Sequence, residues 1–250
     1  MNSSQLGLVT TLLLGIFIII GSLIAFLIKK KEKVVDFSIG LAFGVIVMLI
    51  GIDLLPEIIE HLGLKYIYIF ITGTIIGFFL LKVLDNFIPD HDEGKMNNKE
   101  RNNNLIHIGI ITSCALVLHN IIEGMAVYST IITDTTLGLA ITMGIGFHNI
   151  PLGMVIAGTF YQSNQKLGKT IISIIGVSLS TFVGGLIMFF LNITSISPVI
   201  LGMLLSITLG MLLFIVLDEL LPRIKNTKNK NTTIIGIILG ILILSITLFF

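Results

Sequence analysis

The sequence predicts an all-α membrane protein, a single bundle of eight transmembrane helices with an inverted repeat, helices 1–3 against 6–8, around a central 4–5 pair. Three observations carry this. The 250 residues are 54% hydrophobic and only 12% charged, about half the charge of a soluble domain, and the mean hydropathy is +1.05. The apolar residues fall into eight runs, 6–28, 36–56, 64–84, 105–128, 136–160, 169–192, 198–221 and 232–250, each near the ~20 residues that cross a ~30 Å hydrocarbon layer. The basic residues collect in alternate connections. A single cysteine, Cys114, and a net charge of +1 exclude a disulfide scaffold, a disordered chain and a nucleic-acid binder. The ~10-residue alternation of a membrane barrel is absent.

Run 6–28 has no basic residue before it, is longer than a signal-peptide core and is followed by its basic cluster, so it reads as a retained helix. Run 36–56 carries Asp53 and reaches Pro56, and run 64–84 holds Lys82 at its inner end, where the side chain can snorkel. The stretch 89–104 reads as a polar cytoplasmic loop within one transmembrane domain spanning 1–250. Its Asp90, His91, Asp92 and Glu93 could hold a metal transiently, but a solvated linker is the simpler reading. Runs 105–128 and 136–160 carry paired polar motifs. Glycines through 138–185 suit close helix approach, and Cys114, Met125, Met154 and Met211 read as packing residues. Met48 is the better soft-ligand candidate because its helix also holds Asp53.

With the N-terminus outside, the inner loops hold Lys29, Lys30, Lys31, Lys33, Lys95, Lys99, Arg101, Lys166, Lys169, Arg223, Lys225, Lys228 and Lys230, whereas the outer loops hold only Lys65. This positive-inside bias places both termini outside an inner (plasma) membrane.

Two repeats lie within the chain. His119-Asn120-Ile121-Ile122-Glu123-Gly124-Met125 recurs as His148-Asn149-Ile150-Pro151-Leu152-Gly153-Met154. Gly44…Asp53-Leu54-Leu55-Pro56 recurs as Gly210…Glu219-Leu220-Leu221-Pro222. An odd number of spans separates the members of each pair, so the copies run in opposite directions. That is the signature of an inverted-topology transporter with a midplane site.

Ionisable groups in a bilayer face a partner or a water-filled cavity. His119 and Glu123 share a helix face at the i, i+4 spacing, and both histidines lie at mid-depth. Imidazole and carboxylate suit Zn²⁺, Fe²⁺ or Mn²⁺, and His148 and Asn149 on the next helix extend the donor set. Helix-to-helix hydrogen bonding alone explains one such histidine better than two His-Asn copies. Pro151 withholds a donor from the carbonyl of Phe147 and is expected to kink the fifth helix beside His148.

These residues resemble the ZIP (Zrt/Irt-like) metal transporters, most closely the prokaryotic branch, through His119-Asn120-x-x-Glu123-Gly124, His148-Asn149-Ile150-Pro151-x-Gly153 and Asp218-Glu219-Leu220-x-Pro222. The resemblance implies uptake of a divalent metal (zinc foremost, with iron, manganese, cobalt or cadmium as further cargo) into the cytoplasm through a site between helices 4 and 5. It implies that Glu219 completes an adjacent position and that Asp53 and Glu57 line the entrance. The family's second motif has glutamate where this chain has Leu152, so one principal site is expected from His119, Glu123 and His148, with Asn120, Asn149 and Glu219 contributing more weakly. The metal is substrate, and no prosthetic group is expected. The expected partners are the metal ion and the lipid bilayer, with a homodimer as one allowed assembly and no nucleic acid.

An intramembrane metal-dependent hydrolase is the main alternative. It needs an open water position and a general base, and no His-Glu-x-x-His is present. A metal sensor or scaffold would need a larger soluble output domain.

Overall fold

A computed structural model describes residues 2–27, 32–87, 98–162 and 167–246. Eight membrane helices fill it. They are α1 (Ser3–Phe26), α2 (Glu32–Leu49, a π-helical segment Ile50–Leu54, then Leu55–Leu62), α3 (Ile67–Asp85), α4 (Asn98–Thr133), α5 (Thr135–Gln162), α6 (Leu167–Phe190), α7 (Pro198–Phe214, a π-helical segment Ile215–Leu220, then Leu221–Lys225) and α8 (Lys230–Ile246). Seven are long and apolar enough to cross a membrane, and the described part of α8 is a shorter apolar helix. There is no strand among the described residues. The Asp90–Glu93 cluster lies outside the described residues, as do Lys29, Lys30, Lys31, Lys95 and Lys166. From Asn98 onward the polar stretch 89–104 is already the start of α4.

Local chemistry sets the ends. Asn2 and Gln5 form a reciprocal capping box at α1, with Asn2 Oδ1 accepting from the Gln5 N–H at 2.8 Å. Gly63 takes φ 54° as α2 stops, a conformation open to glycine without a Cβ penalty. Asp134 alone separates α4 from α5, and its Oδ1 accepts from the Leu137 N–H at 3.0 Å. Large apolar side chains such as Ile71, Ile75 and Phe79 of α3 stand exposed, as a lipid-facing surface requires.

The helices pack as two groups. α1, α4, α5 and α6 lie against one another, while α2 pairs with α8 and α3 with α7. Within each group the contacts repeat with inverted sense. A Cβ at Gly21 would land on the carbonyl oxygen of Ile150, and one at Gly184 on that of Ile121. Gly153 likewise faces Ile18, and Gly124 faces Thr181. In the other group Gly44 faces Ile237 as Gly210 faces Thr74, and Gly240 faces Leu41 as Gly77 faces Ile207. Ile121 and Ile150 occupy the same position of the repeated heptapeptide, and so do Gly124 and Gly153. The internal two-fold is therefore built into the backbone packing, and each glycine lets two helix backbones touch.

The two π segments also correspond. Pro56 and Pro222 have no N–H, and each ring would press on the carbonyl four residues earlier. The chain takes a wider turn just before each, with the Leu55 N–H donating to Ile50 O and the Leu221 N–H to Val216 O. Pro151, where a kink is expected, lies inside α5. The π-helical segments fall at the two carboxylates Asp53 and Glu219.

Candidate metal site

α4 and α5 bring His119, Asn120, Glu123, His148 and Asn149 together in the interior, all with under 10% of their surface exposed. The i, i+4 face of α4 sets Glu123 Oε1 3.0 Å from His119 Nε2. From α5, His148 Nε2 lies 2.8 Å from the same oxygen, and the two imidazole centroids are 6.2 Å apart. The widened turn of α2 presents Asp53, whose Oδ2 is 3.8 Å from His148 Nδ1. One ligand atom from each of Asp53, His119, Glu123 and His148 lies within 4.8 Å of the other three.

Several atoms here are buried without a hydrogen-bond partner: His119 Nδ1, Glu123 Oε2, Asn120 Oδ1, and both Asn149 side-chain heteroatoms. The Asn120 amide nitrogen is engaged, donating to Val177 O at 3.2 Å. Orphaned polar atoms at such density are costly in an apolar interior, and a divalent cation answers them. Imidazole nitrogens, carboxylates and amide oxygens are its natural donors. A cavity of about 150 Å³, lined by Leu49, Ile52, Asp53, Ile141, Gly144, Ile145, His148 and Leu244, adjoins two of these ligands and lies toward the end of the bundle where α1 begins and α8 ends, the termini-bearing side.

Leu152 is buried, 1% exposed, so the position that departs from the family motif does not face lipid. Met48 is half-buried against the core and stands outside the ligand cluster. Glu57 pairs with His61 at 3.8 Å near the end of α2.

Glu219 stands apart from this cluster. Its Oε2 accepts from Arg223 Nη2 at 2.9 Å, and its Oε1 lies 3.4 Å from His107 Nε2. His107 Nε2 is also 2.6 Å from Asp85 Oδ1. This second group of Asp85, His107 and Glu219 ties α3, α4 and α7 together at the end of the bundle bearing the basic loops. Sequence reasoning did not pick out His107, Asp85 or Arg223. The available signal was position: His107 sits three helical turns before His119, and Asp85 is the first acidic residue after run 64–84.

Comparison with known proteins converges on one family. Residues 89–248 match the ZIP zinc transporter family. The chain is 30% identical to the zinc transporter ZupT of Clostridium perfringens (strain 13 / Type A), covering 99% of this chain and 96% of that one. It is 28% identical to the ZupT of Enterobacter sp. (strain 638), over 96% and 95%, and 28% identical to that of Chlorobium chlorochromatii (strain CaD3), over 95% and 94%. Near-complete coverage in both directions extends the likeness over nearly the whole chain. With its apolar spans and buried ligand cluster, this chain belongs to the ZIP family of metal transporters and is a transporter rather than an enzyme.

Proposed function

We propose that the protein carries Zn²⁺ into the cytoplasm across an inner membrane, both termini lying outside, through one site built from His119, Glu123, His148 and Asp53. The observation that carries this reading is the set of four ligand atoms within 4.8 Å of one another, two of whose residues, Asp53 and His148, line a cavity. Two imidazoles and two carboxylates fit the tetrahedral preference of Zn²⁺ better than the octahedral oxygen shells of Mn²⁺. Iron, cobalt and cadmium are secondary cargo. Asn120 and Asn149 supply amide groups beside the ion. Two carboxylates balance the charge of one divalent cation, so the loaded site is electrically neutral in the low-dielectric interior.

The packing supports a mode of movement. The group α1, α4, α5, α6 holds three ligands and shifts against α2, α3, α7, α8, which gives alternating access. The test is zinc uptake by sealed vesicles containing the pure protein, beside lipid and peptide hydrolysis in the same preparation. Saturable uptake without hydrolysis is expected. Single-channel current steps on adding zinc refute the carrier, and hydrolysis without uptake restores the enzyme alternative.

A further inference from the structure

The internal two-fold is obeyed inside each packing group and broken between them. Within groups, glycine contacts pair off one for one, as Gly21 with Ile150 and Gly184 with Ile121. Between groups the match fails. Asp53 of α2 lies beside His148 of α5. The counterpart of Asp53 is Glu219 and that of His148 is His119, yet Glu219 lies beside His107, three turns away along α4. The burial of the cavity lining is broken in the same way. Its α5 residues Ile141, Gly144 and Ile145 retain accessible surface, while their α4 counterparts Thr112, Ala115 and Leu116 are fully buried. The asymmetry therefore lies in the relative position of two rigid groups. An inverted repeat reaches its opposite state by exchanging that position.

We infer that Asp53 and Glu219 are alternating ligands: Asp53 completes the metal site while it faces the termini-bearing side, and Glu219 replaces it when the site faces the basic side. Exchange of the repeats slides α4 past α7 by about twelve residues, ~18 Å. Glu219 then leaves Arg223 and His107 and reaches His119, as Asp53 reaches His148 now. Asp53 withdraws to the level of Thr136, the counterpart of His107. His119, Glu123 and His148 stay with the ion throughout, because α4 and α5 move together. One carboxylate is always exchanged for another, so the ion keeps two anionic ligands and its charge balance at both ends of the stroke. The chain needs this device because Leu152 removes the carboxylate that would otherwise travel with the site. The inference rests on the metal-site reading above.

The test measures each face separately. The full-length protein in sealed vesicles receives Zn²⁺ at one face while a chelator removes it from the other. Asp53→Asn is expected to raise KM at least ten-fold for zinc offered at the termini face and less than two-fold at the basic face. Glu219→Gln is expected to do the reverse. Because Glu219→Gln leaves Arg223 without its partner and can impair folding, Asp53→Cys and Glu219→Cys provide a second readout. Each thiolate should shift preference from Zn²⁺ toward Cd²⁺ at its own face only. Both substitutions acting at the same face, or Glu219→Cys changing preference at neither, overturns the exchange. His148→Ala separates the two readings. Undiminished transport in it removes the metal site and the exchange together, whereas abolished transport with no face dependence in the carboxylate variants removes the exchange alone.

Discussion

Replacing Glu123 by glutamine is the sharpest test of the site, because the change keeps shape and removes only charge and basicity. Glu123 Oε1 is 3.0 Å from His119 Nε2 and 2.8 Å from His148 Nε2, so it is the one carboxylate on the hairpin that reaches both imidazoles. Structural four-ligand zinc sites bind with about 10–16 kcal/mol, which is about 2.5–4 kcal/mol per ligand. At about 1.4 kcal/mol per decade the loss of one ligand weakens binding ~100- to 1,000-fold. The glutamine site would also hold a cation with one carboxylate left, Asp53, and so carry an uncompensated positive charge away from water. The upper end of that range is therefore expected. Zinc binding to detergent-purified protein is measured by equilibrium dialysis, with a melting curve to establish that the variant is folded. A folded Glu123→Gln protein that binds zinc within three-fold of the parent refutes the site.

Three further outcomes are expected. His119 and His148 must both be neutral to ligate, so protons compete with zinc; affinity should fall as pH drops from about 7.5 to about 5.5, with a slope of log Kd against pH approaching about two, and a flat profile in a zinc titration excludes both as ligands. Gly153→Val drives a side chain into the carbonyl of Ile18, whereas a Cβ at Gly176 meets nothing within 4 Å; thermal melts should show the first losing about 1–3 kcal/mol or more and the second within ~0.5 kcal/mol of the parent. Leu152→Glu places a carboxylate at a buried position rather than in lipid, so elemental analysis should find a folded protein holding more metal per chain, and a folded variant with unchanged stoichiometry removes the argument from the family motif.

Much of this molecule is legible in the sequence because the bilayer leaves few options. Backbone polar groups in hydrocarbon must pair within a helix, so runs of apolar residues became helices at close to the expected positions. The His-Asn motifs lay at mid-depth and met there, since α4 and α5 are antiparallel neighbours joined by Asp134 alone. Glu219 was harder. It shares a sequence pattern with Asp53, and the pattern fixes its place in the repeat but not which residue of α4 it meets. His107 and Asp85 were missed because each sits at a polar boundary where an ionisable residue costs little and attracts no notice. The π segments had no signature beyond Pro56 and Pro222, which look like ordinary helix-end prolines. Pro151, the more conspicuous of the three, is absorbed within α5.

A π segment is an α-helix holding one surplus residue, and surplus can be moved. Shifting it a turn along the axis would leave both flanks helical and rotate only the residues between its old and new positions, by about 100°. Asp53 and Glu219 lie inside such segments. Each carboxylate thus sits where a one-residue slip of the helix would re-aim its side chain while the flanking parts of α2 and α7 stayed in place.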